Sequence, residues 1–340
     1  MKNYKKKYLA NSQLSFQVHE KSAYYGKRCL YCYEKLFDSS SDFHTACNKR
    51  FFGQLNTPQL VYNLTDLQDL ATKVIQSQMA VTGVQAKVSL SLYKKQDKNV
   101  TKKLTIVGLY GDYILKPPSE YYEQLPELES VTMHMAAVCG INVVPHSLVK
   151  LKDGTLCYIT KRVDRTRKGK LNMEDMCQLS ERLTEDKYKG SHEQVAKLVL
   201  KYSSSPLLDV TNFYEQVLFS FLTGNADMHL KNFSLLEKEG QGMSLSPAYD
   251  LVPTALVNPA DTEELALTLN AKKRKLKYTD FLAAFENGGL SQKVLDKTLE
   301  LFLYAKPEIL AVLDKSFVSD EFKEKYASLI HQRYAQLGLK

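Results

Sequence analysis

The hydrophobic period of this chain changes near Val163, and that change limits its fold more than any other feature. Before it, short segments read as strands: Val84–Tyr93 alternates, and Lys103–Val107 and Asp112–Lys116 follow. Val143–Leu151 and Thr155–Thr160 flank Asp153-Gly154, a two-residue hairpin signal. One helix interrupts this half, opened by Pro126, with Leu128, Val131, Met135 and Val138 on one face and Gly140 as its stop. After Val163, helical spacing takes over. Asp209–Leu222 repeats Val210, Phe213, Tyr214, Val217, Leu218 and Phe221, and Gly224-Asn225 ends it. Phe233–Leu236 and Met243–Ser246 read as a hairpin around Gly240-Gln241-Gly242, and residues 278–338 return to helix. Strands first and helices after predict an α+β protein of two lobes. The expected order is a basic arm (1–28), a Cys/His segment (29–57), a strand-rich N-lobe (58–163) and a helical C-lobe (164–340).

Composition excludes a disordered or fibrous chain, because 44% of the 340 residues are hydrophobic and 25% are charged. The net charge of +8 is unevenly spread. Residues 1–28 hold seven Lys/Arg against the single Glu20, and Lys272, Lys273, Arg274, Lys275 and Lys277 form a second cluster. Such an arm either touches phosphates and acidic surfaces or is a solvated tail. Six cysteines are too few for a disulfide framework, and the N-terminus lacks an apolar signal region. No run of 18 apolar residues exists, so the expected location is a reducing cytoplasm.

Three of those cysteines are patterned. Cys29-Leu30-Tyr31-Cys32 and His44-Thr45-Ala46-Cys47 give C-x2-C-x11-H-x2-C. Two close pairs separated by a short loop are what a tetrahedral Zn²⁺ site requires, with the second pair starting a helix through Phe51. The alternative is three reduced, partly buried thiols beside a surface His. Four protein ligands would leave no open position, so the expected metal is structural zinc. Cys139, Cys157 and Cys177 lack such spacing and read as core residues.

The sharpest chemistry follows the helix that ends at Leu222. Asp227 and Asn232 lie five apart in the loop Gly224-Asn225-Ala226-Asp227-Met228-His229-Leu230-Lys231-Asn232. That is the spacing of a kinase catalytic loop, in which the Asp accepts a hydroxyl proton and the Asn holds a metal. The same residue types also serve simply as turn formers. Asn232 precedes the first strand of the following hairpin and Asp250 follows the second, which returns both side chains to one end of the ribbon. Oxygen ligands beside a carboxylate base suit Mg²⁺-nucleotide chemistry. Lys116 ends an apolar strand before Pro117-Pro118, and either Glu127 or Glu129, in the first turns of the next helix, can pair with it. Thr82-Gly83-Val84-Gln85-Ala86-Lys87 holds the place of a phosphate-covering loop but has one glycine and matches no standard phosphate motif. His229 either positions the loop or a phosphate, or packs the loop. His134 falls on the polar side of its helix, with no special role expected.

In order along residues 58–335, six segments resemble the HipA-like kinases of bacterial toxin–antitoxin systems. They are Gly83-Val84-Gln85-Ala86-Lys87, Ile114-Leu115-Lys116-Pro117, Pro126-Glu127-Leu128-Glu129, Lys161-Arg162-Val163-Asp164-Arg165, Asn225–Ser234 and Pro247–Val252. The resemblance implies a two-lobed, protein-kinase-like fold and an ATP-dependent serine/threonine kinase. By motif, Asp227 would be the catalytic base and Asn232 and Asp250 the Mg²⁺ ligands. Lys116 would hold ATP phosphates beside Glu129, and the backbone of Gly83, Val84 and Gln85 would cover them. Tyr158–Val163, including Lys161 and Val163, would be the strand whose backbone meets adenine.

The family implies further partners: a HipB-like helix-turn-helix antitoxin through which DNA is bound, and a protein substrate such as an aminoacyl-tRNA synthetase. This chain resembles the short form, in which a small separate protein takes the part of the family's N-terminal subdomain. The family's inactivating phosphorylation site, a Ser three residues before the loop glycine, is Ala80 here. Thr82 is then the nearest hydroxyl for autophosphorylation, with Ser77 further away. The competing expectation is a binding module, a corepressor whose kinase fold docks an antitoxin on operator DNA. The basic arm, the Cys/His zinc knuckle and Ala80 are compatible with that reading, and the intact Asp227, Asn232, Asp250 and Lys116 argue against it.

Overall fold

The computed structural model describes residues 28–38, 40–67, 69, 87–93, 103–107, 111–166, 168–238 and 240–339. The basic arm up to residue 27 and the loop residues Ser77, Ala80, Thr82, Gly83, Val84 and Gln85 lie outside them.

The chain begins with a tight Cys/His turn and helix α1 (Thr45–Phe52), which Gly53 ends in the left-handed region at φ 69°. A six-stranded sheet follows, built from β1 (Gln59–Leu60), β2 (Val88–Tyr93), β3 (Lys103–Ile106), β4 (Tyr113–Lys116), β5 (His146–Lys150) and β6 (Leu156–Lys161). Its order is β1-β3-β2-β4-β6-β5, antiparallel except for the β1–β3 pair. The Asp153-Gly154 hairpin joins β5 to β6, with Gly154 at φ 86° and Thr155 N–H donating to the Asp153 carboxylate at 3.0 Å.

Between β4 and β5 runs α2 (Leu125–Val138), one residue longer at its start than the sequence pattern predicts. It is buried nearly all round, including the polar Glu129, Ser130 and Thr132. A helix so enclosed is interior rather than a surface amphipath, because sheet, C-lobe and Cys/His segment each cover a face. Thr132 and Tyr326 pair through their hydroxyls at 2.8 Å, and Gln124 exchanges two hydrogen bonds with Ser319. His134 corrects its sequence reading. It faces inward, with Nε2 2.7 Å from the Tyr31 carbonyl, and stacks on Tyr33.

The second half contains β7 (Arg165–Thr166), β8 (Gly169–Lys170) and β9 (Met173–Asp175), then α3 (Met176–Leu179), α4 (His192–Tyr202) and α5 (Pro206–Leu222). Strands β10 (Ser234–Lys238) and β11 (Gly242–Leu245) form the expected hairpin, and β9 adds a third strand that the sequence pattern did not announce. Helices α6 (Thr254–Val257), α7 (Tyr278–Asn287), α8 (Gln292–Lys315) and α9 (Asp320–Gln336) complete the helical lobe. Its core packs Phe213 edge-on against Phe233 and stacks Tyr214 on Phe285 around α5. Backbone also crosses between the lobes: Val144 N–H donates to Ala248 and Ala248 N–H to Asn142, at 3.0 and 2.7 Å. Among the described residues no helix is long and apolar enough to cross a membrane.

Candidate active site

A cleft of about 880 Å³ lies between the two lobes. Strands β4 and β6 and the turn after β6 contribute Lys116, Lys161 and Val163 to its wall, and the helical lobe contributes Asp227, His229, Asn232 and Asp250.

The loop after α5 is built to present a single carboxylate. Gly224 turns at φ 71°, where a Cβ would stand 2.5 Å from Leu329 Cδ2 and 3.2 Å from Ala255 Cβ, so only glycine fits without displacement. Asn225 N–H donates to Ser220 O at 2.8 Å, Ala226 N–H to Thr254 Oγ1 at 2.8 Å, and Asp227 N–H to Asn225 Oδ1 at 3.1 Å. Of residues 221–230, all but Asp227 are buried. The loop therefore hides its apolar and amide groups and leaves one acid facing the cleft. Asn232 Nδ2 donates to the Asp227 carbonyl at 3.1 Å and approaches Met228 Sδ at 3.8 Å. With its N–H groups directed inward, its carbonyl oxygen is the atom free to act as a ligand.

Asp250 follows β11 with φ 62°, a strained value for a residue other than glycine. Tyr249 fixes that segment through a 3.0 Å hydrogen bond from its hydroxyl to the Lys231 carbonyl. The Asp250 carboxylate meets two cations from the other lobe, Lys116 and, at 3.2 Å, Lys87. Lys116 Nζ also lies 2.6 Å from Glu129 Oε1, which selects Glu129 over Glu127 as its partner. Both members of that second pair are almost wholly removed from solvent, with side-chain exposures of 4% and 0%.

Burial governs the ionisation here. It pushes Glu129 up to about 7 in spite of the neighbouring Lys116. Burial alone would also raise Asp250, but the Lys116 and Lys87 ammoniums override it and hold that carboxyl well below its usual range. Lys116 would be lowered by burial, yet Asp250 and Glu129 keep it charged. Burial depresses His229, so its ring is neutral at physiological pH. Its Nδ1 is buried without a hydrogen-bond partner among the described residues.

Lys161 and Val163 line the wall where the sequence reading expects adenine contacts. The backbone N–H groups of Lys161 and Arg162 are engaged by Pro145 O and Asp112 O, each at 2.8 Å. Two participants escaped sequence reasoning. Tyr188, in the loop before α4, donates its hydroxyl to Asp227 Oδ1 at 2.6 Å and meets His229 edge-on with ring centroids 5.0 Å apart. Lys231 pairs with Asp175 of β9 at 2.7 Å. Tyr188 lies 39 residues from Asp227, and no local pattern signals that approach. Lys87 had a signal, since it ends the segment that occupies the place of the phosphate loop.

Outside the cleft, Cys29, Cys32, His44 and Cys47 converge, with ligand atoms all within 4.8 Å of one another. Cys139, Cys157 and Cys177 take no part in that group.

Residues 79–307 match the family model described as the HipA-like C-terminal domain. A Sinorhizobium fredii protein named "Putative kinase Y4dM" is 32% identical over 232 residues, covering 64% of this chain and 56% of its own length. The serine/threonine-protein kinase toxin HipA of Shewanella oneidensis is 27% identical over 257 residues, covering 68% of this chain and 57% of the toxin. The present chain thus spans little more than half the length of these two relatives. In structure, S. oneidensis HipA, solved with HipB and its operator DNA, superposes with a TM-score of 0.62. That match has 22% identity and covers 78% of this chain and 70% of HipA. The fold is accordingly the two-lobed, α+β HipA kinase fold.

Proposed function

The chain belongs to the HipA-like C-terminal domain family, and from that premise we propose that it is an ATP- and Mg²⁺-dependent serine/threonine protein kinase of a toxin–antitoxin system. The observation that carries this reading is Lys116, held between Glu129 of its own lobe and Asp250 of the other, opposite a loop whose single carboxylate, Asp227, faces the cleft. The donor set fits Mg²⁺ and a nucleoside triphosphate. Asp250 and the Asn232 carbonyl are hard oxygen ligands of the kind Mg²⁺ takes, and Lys116 and Lys87 are cations for phosphate oxygens. When bound, the metal would supply neutralisation of charge on the transferred phosphoryl group.

The protein's own residues do the rest. Asp227 orients a substrate hydroxyl and accepts its proton, a contribution of about 10²–10⁴-fold for a positioned base. A carboxylate accepts several hydrogen bonds, so a substrate hydroxyl can join the Tyr188 hydroxyl on Asp227. Lys116, fixed by Glu129, keeps its ammonium aimed into the cleft, and His229, neutral, adds no competing charge. Preorganised electrostatics of this kind provide most of the acceleration in phosphoryl transfer. By likeness to the S. oneidensis complex, the proposed partner is a HipB-like antitoxin that brings the kinase to operator DNA. A small protein in the part of the N-terminal subdomain and a protein substrate of the aminoacyl-tRNA synthetase class extend the same proposal.

The test is phosphate transfer from γ-labelled ATP with Mg²⁺ into a lysate of the source cell. Asp227→Asn should reduce transfer by at least about 100-fold with an unchanged far-ultraviolet circular dichroism spectrum. Full activity in that variant refutes the assignment. Label on the chain itself directs attention to Thr82 and Ser77. Absence of label, together with no rise in melting temperature on adding ATP, favours the corepressor reading instead.

A further inference from the structure

The kinase reading leaves Cys29, Cys32, His44 and Cys47 unused. We infer that these four residues form a structural zinc site, and that the site fastens residues 29–52 to the helix carrying Glu129.

The spacing of the ligand atoms is that of a tetrahedral metal. Zn–S bonds of about 2.3 Å and Zn–N bonds of about 2.0–2.1 Å imply an S···N edge of about 3.6 Å. Here Cys32 Sγ and Cys47 Sγ lie 3.4 and 3.7 Å from His44 Nδ1. His44 Nε2 stands 3.0 Å from the Lys35 carbonyl, an interaction that fixes the proton on Nε2 and leaves a lone pair on Nδ1. One lone pair accepts one good hydrogen bond, yet two thiols are aimed at it. A cation resolves that competition, and a backbone carbonyl on the far nitrogen is the usual support of a metal-bound imidazole. Three sulfurs and one imidazole in a closed tetrahedral set select zinc among the biological divalent metals. Protein ligands fill all four positions and leave none open for substrate, which makes the site structural.

The residues between the ligands show what the site holds in place. Leu30 O accepts hydrogen bonds from Leu148 N–H and Ser147 Oγ, both at 3.2 Å, so the turn extends the outer edge at β5. Tyr31 O meets His134 of α2 at 2.7 Å. Tyr33, beside the ligand Cys32 and in the left-handed region at φ 63°, donates its hydroxyl to Ser130 at 2.7 Å. Ser130 adjoins Glu129, the partner of Lys116. From Cys32 to the buried ion pair the path thus runs through adjacent residues and one hydrogen bond.

Full-length protein, purified without added metal or chelator, should carry close to one zinc per chain by inductively coupled plasma mass spectrometry, with little iron. Cobalt exchanged into it should give thiolate-to-cobalt charge-transfer absorption and tetrahedral d–d bands. Cys32→Ser and Cys47→Ser should each reduce that absorption, whereas Cys139→Ser should retain it. Removing the metal from wild-type protein should lower the melting temperature and speed hydrogen exchange in the amides of residues 125–138. Metal-free, reduced wild-type protein that melts at the same temperature overturns the site, and iron in place of zinc overturns the assignment of the metal. Zinc retained by a Cys32→Ser/Cys47→Ser double variant overturns the ligand set, and unchanged exchange in α2 overturns the fastening role.

Discussion

The cleft and the Cys/His cluster are both concentrations of polar side chains inside a protein, and they are assembled by opposite routes. The cluster takes all its members from residues 29–47, so a turn and the start of one helix suffice to gather them. The cleft joins Lys116 to Glu129, 13 residues on, and to Asp250, 134 residues on. Its charges meet only when both lobes are folded and apposed. A local cluster can therefore persist when the lobes are loosened, while the cleft depends on the whole molecule. The two regions meet at α2, which receives Tyr33 from one side and offers Glu129 to the other.

The substitution that should separate them most forcibly is Lys116→Met. It strands Glu129 at full burial and removes a cross-lobe contact, and loss of one partner from a buried pair costs about 3–5 kcal/mol. Urea unfolding should register that loss with the metal content unchanged. A cost no greater than the ~1 kcal/mol of an exposed pair would show that the cleft does not depend on this interaction.

A smaller effect is carried by protons. Burial raises Glu129 to about 7 from an ordinary 4.5, so between those values the folded chain binds this proton more tightly than the unfolded chain. Its contribution to stability is complete below the lower value and is lost as pH rises through about 7. The limiting slope is one proton, about 1.4 kcal/mol per pH unit. Melting temperatures across that range should show wild type losing ground to Glu129→Gln as the solution becomes more alkaline. A constant difference between the two would contradict the assignment. The smallest change expected is Tyr33→Phe, which deletes the hydrogen bond to Ser130 at the junction. A loss of about 1 kcal/mol in unfolding experiments, with the metal retained, would mark Tyr33 as a connector between the regions rather than a member of either.

The same contrast explains what could be read before the structure was known. The Cys/His spacing and the Asp153-Gly154 hairpin are local, and each follows from residues within a few positions of one another. The α5 stripe and the Gly224 stop were equally legible, because burial on one helix face imposes a period. Asn232 was readable from its spacing to Asp227, and Asp250 from the hairpin that joins it to Asn232, whereas no local pattern ties Lys116 to Asp250, 134 residues on. Tyr188 and the inward-facing His134 were not readable at all. Their partners are fixed by how α2, the turn at residues 29–35 and the loop before α4 pack, and single residues leave no periodic trace of that. Strand β9 was hidden for a different reason, being three residues long and defined by the distant strand it joins.

The double grip of Lys87 and Lys116 on Asp250 has a thermodynamic consequence. A carboxylate already balanced by two ammonium groups has little affinity left for a divalent cation, so the free protein should take up such a cation poorly. A polyanion that draws the two lysines toward itself releases Asp250, and the cation then meets an uncompensated charge. By linkage the effect is reciprocal: the cation, once seated, frees both lysines for the anion. On the proposed kinase reading the resting salt bridges would thus act as an ion exchanger, in which each guest raises the affinity for the other.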